Sequence, residues 1–316
     1  MKKTFLLIAK SNSYGLVRDA ELIADQLEKS GHSVKQATPK DRSFNSRLTR
    51  KKHADVIIFF ERCFPAWFSA ADELYLIPNQ ERYPKRQQSR LKKLTAALTK
   101  TKHADEIFKA IGCPTIEIGF SSEDRQAKQF KKDKSKFFHL AGGSTLKGTE
   151  TILELWNKHP EWPTLTLVQK EKNAPTIIPE NVDLHSGYVS DKDLLKLQNE
   201  CGVHLCPSRS EGWGHHIIEA LSTGAVVLTT DAPPMNEHVS SDIGVLVAYN
   251  RQSPRHLGTN FYADSAALEA AISNTLKMDD AAFLDKSKKA RAAFETIHQS
   301  FIAKFANFIT SHGQKN

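Results

Sequence analysis

Residues 203–229, VHLCPSRSEGWGHHIIEALSTGAVVLT, contain two apolar runs separated by a glycine-containing loop and an amphipathic segment. The segments 203–206 and 226–229 are short and mainly apolar, which is typical of strands buried on both faces. Between them, residues 214–222 repeat apolar side chains at helical spacing. A strand, a helix and a second strand in this order predict two parallel strands joined by a helical crossover.

The same alternation extends over the whole chain and predicts an α/β fold. Before residue 120, strands are expected at 3–9, 33–37, 55–60, 73–77 and 113–118, and helices at 16–29 and 102–111. After residue 136, strands are expected at 137–141, 164–168 and 244–247, and helices at 149–157, 191–198, 264–278 and 281–308. We therefore expect two Rossmann-like, doubly wound domains facing a cleft, with ligands outside the carboxyl ends of the strands.

The length and one polar segment divide the chain. Its 316 residues are about twice a common domain size. Residues 120–136 are poor in apolar side chains, which is typical of a linker. We therefore expect an N-terminal domain at 1–119 and a C-terminal domain at 137–290. Residues 291–316 are expected to form a C-terminal helix, crossing back to the N-terminal domain, and a tail.

Composition argues against a membrane-spanning or secreted chain. No apolar run approaches the roughly 18 residues of a transmembrane helix, and the apolar run 5–9 is too short for a signal peptide. The four cysteines lack the spacing of metal ligands. We therefore expect buried, reduced thiols in a cytoplasmic protein.

The net charge of +8 is unevenly distributed. Residues 1–119 contain 22 Lys and Arg against 13 Asp and Glu, whereas residues 137–316 contain 16 against 20. A basic domain attached to a mildly acidic one favours an anionic partner for the N-terminal half. Charge alone leaves nucleic acid, a membrane surface and a phosphorylated substrate open, and also an ordinary solvated surface.

Glycine-rich phosphate loops are only partly present. Gly15 stands alone after the first strand, without the other glycines of G-x-G-x-x-G, and no P-loop occurs. Residues 142–148, GGSTLKG, lie at a predicted strand-to-helix junction. Backbone N–H groups at a helix N-terminus beside an ammonium group suit a phosphate. The candidate phosphate contacts there are Gly143, Ser144, Thr145 and Lys147.

Two carboxylates flank the next glycine-containing loop. Glu211 lies in the loop after a predicted strand, and Glu219 lies eight residues later on the predicted helix. Each carboxylate can accept from hydroxyl groups, one on a sugar and one on a ribose. The intervening residues 212–214 offer backbone N–H groups to a phosphate. The arrangement suits a sugar nucleotide, although two surface acids on one helix are common.

These residues resemble a known signature. Residues 211–227 are similar to the E-G-F-G-x4-E-A-x-A-x-G-x-P-V pattern of family 4 retaining glycosyltransferases, which have the two-domain GT-B fold. Residues 147–148 resemble the K-G pair of that family, 187–189 its G-x-V turn at the nucleotide base, and 244–247 its G-x-L-V strand. The resemblance implies a transferase that uses a UDP- or GDP-linked sugar as co-substrate, without a cofactor.

The resemblance implies a role for each matching residue. Glu219 should bind the ribose hydroxyls, Glu211 the sugar hydroxyls, and Lys147 the diphosphate and its leaving charge. Glu211 and Lys147 are therefore the catalytic candidates in a scheme where the protein mainly positions groups and stabilises charge. The anomeric configuration is retained in that scheme. The other nucleotide-sugar candidates are Gly15, Gly143, Ser144, Thr145, Tyr188, Val189, Arg209, Gly212, Trp213 and Gly214.

The sequence departs from the family pattern in the diphosphate region. The family usually has an Arg or Lys five or six residues before its K-G lysine, where this chain has Ala141 and Gly142. Hydroxyls and amides replace that charge, or Arg209 supplies it. No metal is expected, because Lys147 and helix N-termini take the part of an ion and no D-x-D pair has hydrophobic flanks.

The N-terminal domain resembles the family only in its opening strand, turn and helix. Polar residues at its strand ends are the candidates for the acceptor side. Glu61 and Arg62 could also simply pair with each other, and His103 could be an ordinary surface histidine. The basic N-terminal domain predicts an anionic acceptor such as a lipopolysaccharide core, capsule or related glycolipid, with peripheral contact at the inner membrane. The acceptor-side candidates are Glu61, Arg62, Asn79, Glu81 and His103.

Two alternatives remain open. The same basic domain could bind nucleic acid, so that the acceptor would be a modified DNA base. Basic residues around 85–93 lack base-reading signatures, which weakens this interpretation. The missing arginine also leaves open a protein that binds sugar nucleotides without catalysis.

Overall fold

The computed structural model describes residues 2–10 and 14–313, which form two compact units. Unit 1 comprises the described residues of Met1–Ser121, Pro254–Gly258 and Ile297–Asn316. Unit 2 comprises Ser122–Ser253 and Thr259–Thr296. The chain therefore leaves unit 2 twice, once for five residues and once for its C-terminal part.

Unit 1 contains a six-stranded parallel sheet with the strand order β2-β1-β3-β4-β5-β6. The first strand lies between the second and the third, so the direction of winding changes between β1 and β3. Strand β3, VIIFFE, is buried along its whole length, as expected of a parallel strand covered on both faces. The strands are β1 Thr4–Ile8, β2 Ser33–Ala37, β3 Val56–Glu61, β4 Glu73–Pro78, β5 Ala96–Thr99 and β6 Thr115–Glu117.

Among the described residues of 1–121, three α-helices and three 3-10 segments accompany this sheet. They are α1 Tyr14–Lys29, α2 Phe44–Leu48 and α3 Lys102–Ala110, with 3-10 segments at Pro65–Trp67, Gln80–Arg82 and Lys85–Lys93. Gly15 lies in the first turn of α1, so its predicted position in a loop before the helix is wrong. A Cβ at position 15 would meet nothing within 4 Å, so no close contact requires a glycine there.

Unit 2 contains a second six-stranded parallel sheet, with the order β12-β11-β10-β7-β8-β9. Counted within the unit, this is the doubly wound order 6-5-4-1-2-3, and its winding changes between β7 and β10. The strands are β7 Asp133–Gly142, β8 Leu165–Gln169, β9 Val182–Ser186, β10 Cys201–Cys206, β11 Val226–Thr230 and β12 Gly244–Val247. The α/β fold with two doubly wound sheets, expected from the sequence, is confirmed.

The helices of unit 2 connect these strands, and the last one extends into unit 1. They are α4 Thr149–Lys158, α5 Asp191–Glu200, α6 His215–Ser222, α7 Met235–His238, α8 Ser265–Leu276 and α9 Asp280–Gly313. From Ile297 onward, α9 belongs to unit 1, where Phe301 contacts the ring of Phe120 and Phe308 that of Tyr75. A two-stranded ribbon that the sequence did not predict consists of β13 Tyr249–Arg255 and β14 Gly258–Ala263.

Two sequence expectations concern the chain as a whole. The four cysteines are buried and form no disulfide among the described residues. Strand β7 begins at Asp133, so the last four residues of the predicted linker 120–136 belong to a strand. No helix within residues 2–10 and 14–313 is long and apolar enough to cross a membrane.

Candidate functional site

The change of winding in unit 2 determines where its functional side chains gather. Strands β7 and β10 are neighbours in the sheet, and the strands that follow them in sequence, β8 and β11, lie on opposite sides of this pair. In such sheets the loops at the carboxyl ends of these two strands diverge and leave a crevice. The loop after β7 carries Lys147, and the loop after β10 carries Glu211.

Lys147 and Glu211 form an ion pair across this crevice. The Lys147 Nζ lies 2.6 Å from the Glu211 Oε1, and the two side chains are only 14% and 13% exposed. A charge pair with so little water around it interacts more strongly than a pair on an open surface. The two catalytic candidates, 64 residues apart in sequence, are therefore brought together.

His216 completes this cluster from the first turn of α6. Its Nδ1 lies 3.0 Å from the Lys147 Nζ, and its Nε2 lies 3.1 Å from the Ser208 Oγ. The ammonium can only donate, so Nδ1 accepts and the Nε2–H faces the serine oxygen. Burial, and then the charge of Lys147, hold the pKa of His216 well below its usual value. The imidazole is therefore neutral and leaves the positive charge on Lys147.

Glycine is required beside Lys147 for a steric reason. Gly148 has a φ of 73°, in the left-handed region, and a Cβ there would lie 2.5 Å from the carbonyl oxygen of Pro207. A side chain would therefore push the two strand-end loops apart. The K-G pair thus places the lysine where the loops after β7 and β10 touch.

Glu219 lies about one turn after His216 on α6, and its residue is 5% exposed. The Gln198 Nε2 donates to the Glu219 Oε2 at 3.2 Å, and the Gln198 Oε1 accepts from the Arg125 Nε at 2.9 Å. Arg125 is itself buried and lies 2.9 Å from a carboxylate oxygen of Asp191. This chain of contacts fixes the orientation of the Glu219 carboxylate.

Arg125 and Gln198 were not predicted as site residues. Arg125 lies in the segment that the sequence identified as a linker, and Gln198 is a polar residue on an ordinary helix. The only available signal was an isolated arginine among apolar-poor residues, which usually indicates a solvated surface.

Trp213 contributes to this site through its packing. The side chain is buried, its Nε1–H donates to the Ser122 Oγ at 3.2 Å, and its carbonyl accepts from the His238 Nε2 at 2.7 Å. The Ser122 Oγ lies 2.8 Å from the His215 Nδ1. These contacts hold the loop of Gly212 and Gly214 at the start of α6, where helix N–H groups lack intrahelical acceptors.

Two cations border the loop after β7, and their environments differ. Arg209 is 3.1 Å from the carboxylate of Glu150, and its guanidinium lies over the ring of Tyr262. Lys170 follows β8, and its backbone N–H donates to the Gly142 carbonyl at 2.8 Å. A Cβ on Gly143 would lie 3.3 Å from the Lys170 Cδ, so the lysine stem packs along the glycine turn. Within the described part of the chain, Lys170 has no ion-pair partner.

Lys170 was not predicted, although the strand order could have indicated it. Strand β8 pairs with β7, so the residue after β8 must lie near the residues after β7.

The remaining donor candidates are more peripheral. The Ser144 Oγ accepts from the Leu146 N–H at 3.1 Å, Thr145 is exposed, and Tyr188 is 92% exposed beside half-buried Val189.

The acceptor-side candidates lie at the carboxyl ends of β3, β4 and β5 in unit 1. Glu61 ends β3 with a φ of 65°, a strained conformation for a residue with a side chain. The Arg62 Nε lies 3.1 Å from the Glu61 Oε1, so the two residues do pair with each other. The other three candidates are placed as follows: Asn79 and Glu81 after β4, and His103 in the first turn of α3.

The three later residues differ in environment. The Asn79 Oδ1 is buried without a hydrogen-bond donor among the described residues. Glu81 is buried with its carboxylate 3.8 Å from the Arg82 Nε. Burial lowers the pKa of His103 against the weaker opposing effect of Glu106. Among residues 2–10 and 14–313, no group of His, Cys, Asp and Glu could hold a metal ion.

Comparison with known proteins supports the fold and the C-terminal motifs. Residues 120–257 match the family model described as glycosyl transferases group 1. No curated protein sequence matches the chain. The predicted resemblance to group 1 glycosyl transferases is thereby confirmed for the region that contains Lys147, Glu211 and Glu219.

Solved structures share the fold over the whole chain at low identity. A glycosyltransferase from Rickettsia africae ESF-5 is 13% identical with a TM-score of 0.78, and the match covers 100% of both chains. Anabaena HepE, solved with UDP and glucose, is 14% identical with a TM-score of 0.70, covering 98% of this chain and 100% of that one. The lipopolysaccharide outer core galactosyltransferase WaaB is 11% identical with a TM-score of 0.67, covering 99% and 100%. The fold is therefore that of GT-B glycosyltransferases.

Proposed function

We propose that this protein is a metal-independent, retaining glycosyltransferase of the family 4 type that takes a sugar from a nucleotide diphosphate. The observation that carries the proposal is the cluster of Lys147, Glu211 and neutral His216 at the change of winding in unit 2. This cluster puts one cation and one carboxylate at the position where such sheets bind ligands, which supports a role for both in donor binding.

Lys147 would stabilise the leaving diphosphate. As the bond between the anomeric carbon and the phosphate oxygen breaks, negative charge grows on that oxygen, and a fixed ammonium nearby lowers the barrier. The acceptor oxygen would bond to the anomeric carbon on the same face, and its proton would pass to the leaving phosphate. Lys147 supplies the positive charge that a metal ion would otherwise contribute.

Glu211 and Glu219 would hold the two hydroxyl-bearing ends of the donor. Glu211 accepts from Lys147, and a carboxylate has enough lone pairs to accept from sugar hydroxyls as well. Glu219, oriented by Gln198, would accept from the ribose hydroxyls. A UDP-linked sugar is the proposed donor, supported by the HepE structure, which was solved with UDP and glucose.

Lys170 would supply the second positive charge on the diphosphate. It packs along the glycine turn after β7, and Arg209 is engaged with Glu150 and Tyr262. We expect Lys170→Ala to raise the KM for the donor at least about tenfold, as removal of one charged hydrogen bond usually does. Arg209→Ala should change the KM less. Equal effects of the two variants would contradict this assignment.

Unit 1 would bind an anionic acceptor at a cytoplasmic membrane surface. Its short helix α2 exposes Phe44 and Leu48, 75% and 74%, four residues apart on one helix face. Exposed Arg47, Arg50 and Lys51 surround them. Two apolar side chains within a basic surface suit the interface of an anionic bilayer. A lipopolysaccharide or related glycolipid is therefore the proposed acceptor class, and the inner membrane the proposed location.

Vesicle binding tests the membrane part of this proposal. The double variant Phe44→Ser and Leu48→Ser should sediment with phosphatidylglycerol vesicles much less than the unchanged chain does. Ile177→Ser is the matched control, because Ile177 is 81% exposed but lies in unit 2. Equal loss in both variants would show that general surface hydrophobicity, not α2, determines vesicle binding.

A panel of nucleotide sugars tests the donor part. The matching donor should raise the melting temperature, because a ligand that binds only the folded state stabilises it. Glu219→Gln should weaken that donor's binding about tenfold to a hundredfold, the cost of charged hydrogen bonds to hydroxyls. Glu154→Gln, an exposed glutamate on α4, is the control and should leave binding unchanged.

The reaction itself is tested by experiments separate from donor binding. Proton NMR of the released or transferred sugar should show the anomeric configuration of the donor, and EDTA should leave the rate unchanged. Donor binding with no transfer and no hydrolysis would favour a protein that binds sugar nucleotides without catalysis. Salt-sensitive binding of duplex DNA would favour a nucleic-acid acceptor.

A further inference from the structure

A surface pocket in unit 1 is lined mainly by cations and prolines. Its volume is about 530 Å³, and its lining consists of Arg62, Pro84, Lys85, Arg86, Pro254 and His256. Three separate segments meet there: the end of β3, the 3-10 segment Lys85–Lys93, and the turn of the ribbon β13–β14. We call it the basic pocket.

Close backbone packing brings the ribbon turn to this place. The Leu257 N–H donates to the Gln80 carbonyl at 3.2 Å. A Cβ on Gly258 would lie 3.2 Å from the Gln80 Cγ and 3.3 Å from the Glu81 Cα, so a side chain there would require these neighbours to shift. The ribbon turn is therefore a fixed wall of the basic pocket and belongs to unit 1.

The positive charges around the basic pocket are only partly compensated. Arg62 pairs with Glu61, but Lys85 and Arg86 have no ion-pair partner within the part of the chain that the structure describes. Arg255 also has no carboxylate partner there, and its Nε is buried without an acceptor. A buried donor without an acceptor costs free energy. Separately, an anion in the basic pocket would lower the positive potential that these side chains create together.

The pKa of His256 reflects this local positive charge. It has a φ of 54° at the ribbon turn, and its side chain lines the pocket. Burial, then Arg255, Arg62 and Arg82, lower its pKa, and only Glu61 acts in the opposite direction. A proton on His256 is thus disfavoured by three arginines, and an anion in their midst would make it more favourable.

We propose that the basic pocket binds a phosphate group, with Lys85, Arg86 and His256 donating to its oxygens. Two lysine or arginine side chains without partners, facing a concave site with apolar proline walls, suit a phosphate attached to a larger body. The identification of that body with the acceptor rests on the proposed function; the phosphate site itself does not. No residue of the donor cluster takes part in it.

Histidine NMR with inorganic phosphate tests the site directly. In the full chain with labelled histidines, the ring signals missing from His256→Gln identify His256. Inorganic phosphate should shift those signals saturably and raise the pKa of His256. Lys85→Ala with Arg86→Ala should weaken the apparent affinity at least tenfold, since charged hydrogen bonds are lost.

A matched control separates the pocket from general charge. Lys92→Ala with Lys93→Ala removes the same charge from the same 3-10 segment, at exposed positions that do not line the pocket. This control should leave phosphate affinity within about twofold. Equal weakening in both double variants, or no saturable shift of His256, would overturn the phosphate site. Melting temperatures close to that of the unchanged chain establish that the variants fold.

A second arm identifies the source of the phosphate. If vesicles of phosphatidylglycerol, but not phosphatidylcholine, shift the His256 signals and inorganic phosphate competes, the ligand is a lipid headgroup. If only inorganic phosphate acts, the ligand is a soluble phosphorylated molecule. Either result supports the pocket. If the protein transfers sugar but phosphate does not shift the His256 signals, the proposed function stands and the phosphate site is wrong. If phosphate shifts the His256 signals but no sugar is transferred, the phosphate site stands and the proposed function is wrong.

Discussion

Each of the two sheets changes its direction of winding once, but the side chains at the two places differ. In unit 2, Lys147 and Glu211 meet as a largely buried ion pair, and a neutral histidine contacts the lysine. In unit 1, the end of β3 carries a strained Glu61 paired with Arg62, near cations that have few carboxylate partners. The first arrangement fixes one charge of each sign at one point. The arrangement in unit 1 leaves an excess of positive charge at the surface, which favours anionic ligands.

Removal of the Lys147 side chain should have the largest effect on the cluster in unit 2. Lys147→Ala should lower kcat about 10²- to 10³-fold, the usual effect of losing one group that stabilises transition-state charge. Donor affinity should fall less, because the charge develops mainly as the bond breaks. Lys158→Ala, an exposed lysine in the same unit, is the control. A Lys147 variant with an unchanged turnover rate would falsify the proposed mechanism.

The buried histidines predict that acid destabilises unit 2 before unit 1. Burial lowers the pKa of His139 and of His238 to about 4 and that of His204 to about 3, and all three lie in unit 2. In the unfolded chain these groups bind protons near pH 6.5, so the unfolded state gains protons first as the pH falls. Each should cost about 1.4 kcal/mol of stability per pH unit between pH 6.5 and its folded pKa.

Hydrogen exchange measures this difference within one molecule. Between pH 7 and pH 5, amide protection in β7, β10 and β11 should fall by a larger factor than protection in β3 and β4. His139→Gln should reduce the acid sensitivity of unit 2, because the glutamine cannot gain a proton. Parallel loss of protection in the two sheets would mean that they unfold as one cooperative body.

A glycine pair tests how the loops of unit 2 are held. Gly148→Ala combines a positive φ with a Cβ 2.5 Å from the Pro207 carbonyl oxygen, whereas Gly187→Ala has a φ of 83° and nothing within 4 Å. Strain in the left-handed region alone costs about 1–3 kcal/mol. Urea unfolding should therefore show a larger loss for Gly148→Ala, and its donor affinity should also fall. Equal losses would mean that the loops move apart freely.

The contact at Gly148 also shows why some site residues could be predicted from the sequence and others could not. The pair Lys147 and Gly148 was predictable in unit 2 because one backbone contact requires a glycine next to the lysine. Arg125, Gln198 and Lys170 were missed because they reach the site through the tertiary fold. Nothing local distinguishes them from surface residues. In unit 1, the ribbon turn 254–258 comes from a distant part of the sequence, so no local pattern could indicate the basic pocket.

The smallest expected effect concerns the strained residue of unit 1. Glu61→Gly should keep or raise stability by up to about 1 kcal/mol, because glycine adopts a φ of 65° without strain, although the pair with Arg62 is lost. Arg50→Gly is the matched control, since Arg50 has a φ of 51° but is exposed beside α2. Both variants should unfold at an equal or higher urea concentration than the unchanged chain. Only Glu61→Gly should lower the rate of transfer to the acceptor while donor hydrolysis is unchanged, because strain kept at a strand end indicates a use for that side chain. If both variants gain stability and neither loses transfer, Glu61 has no acceptor role, and the difference between the two sheets is one of charge alone.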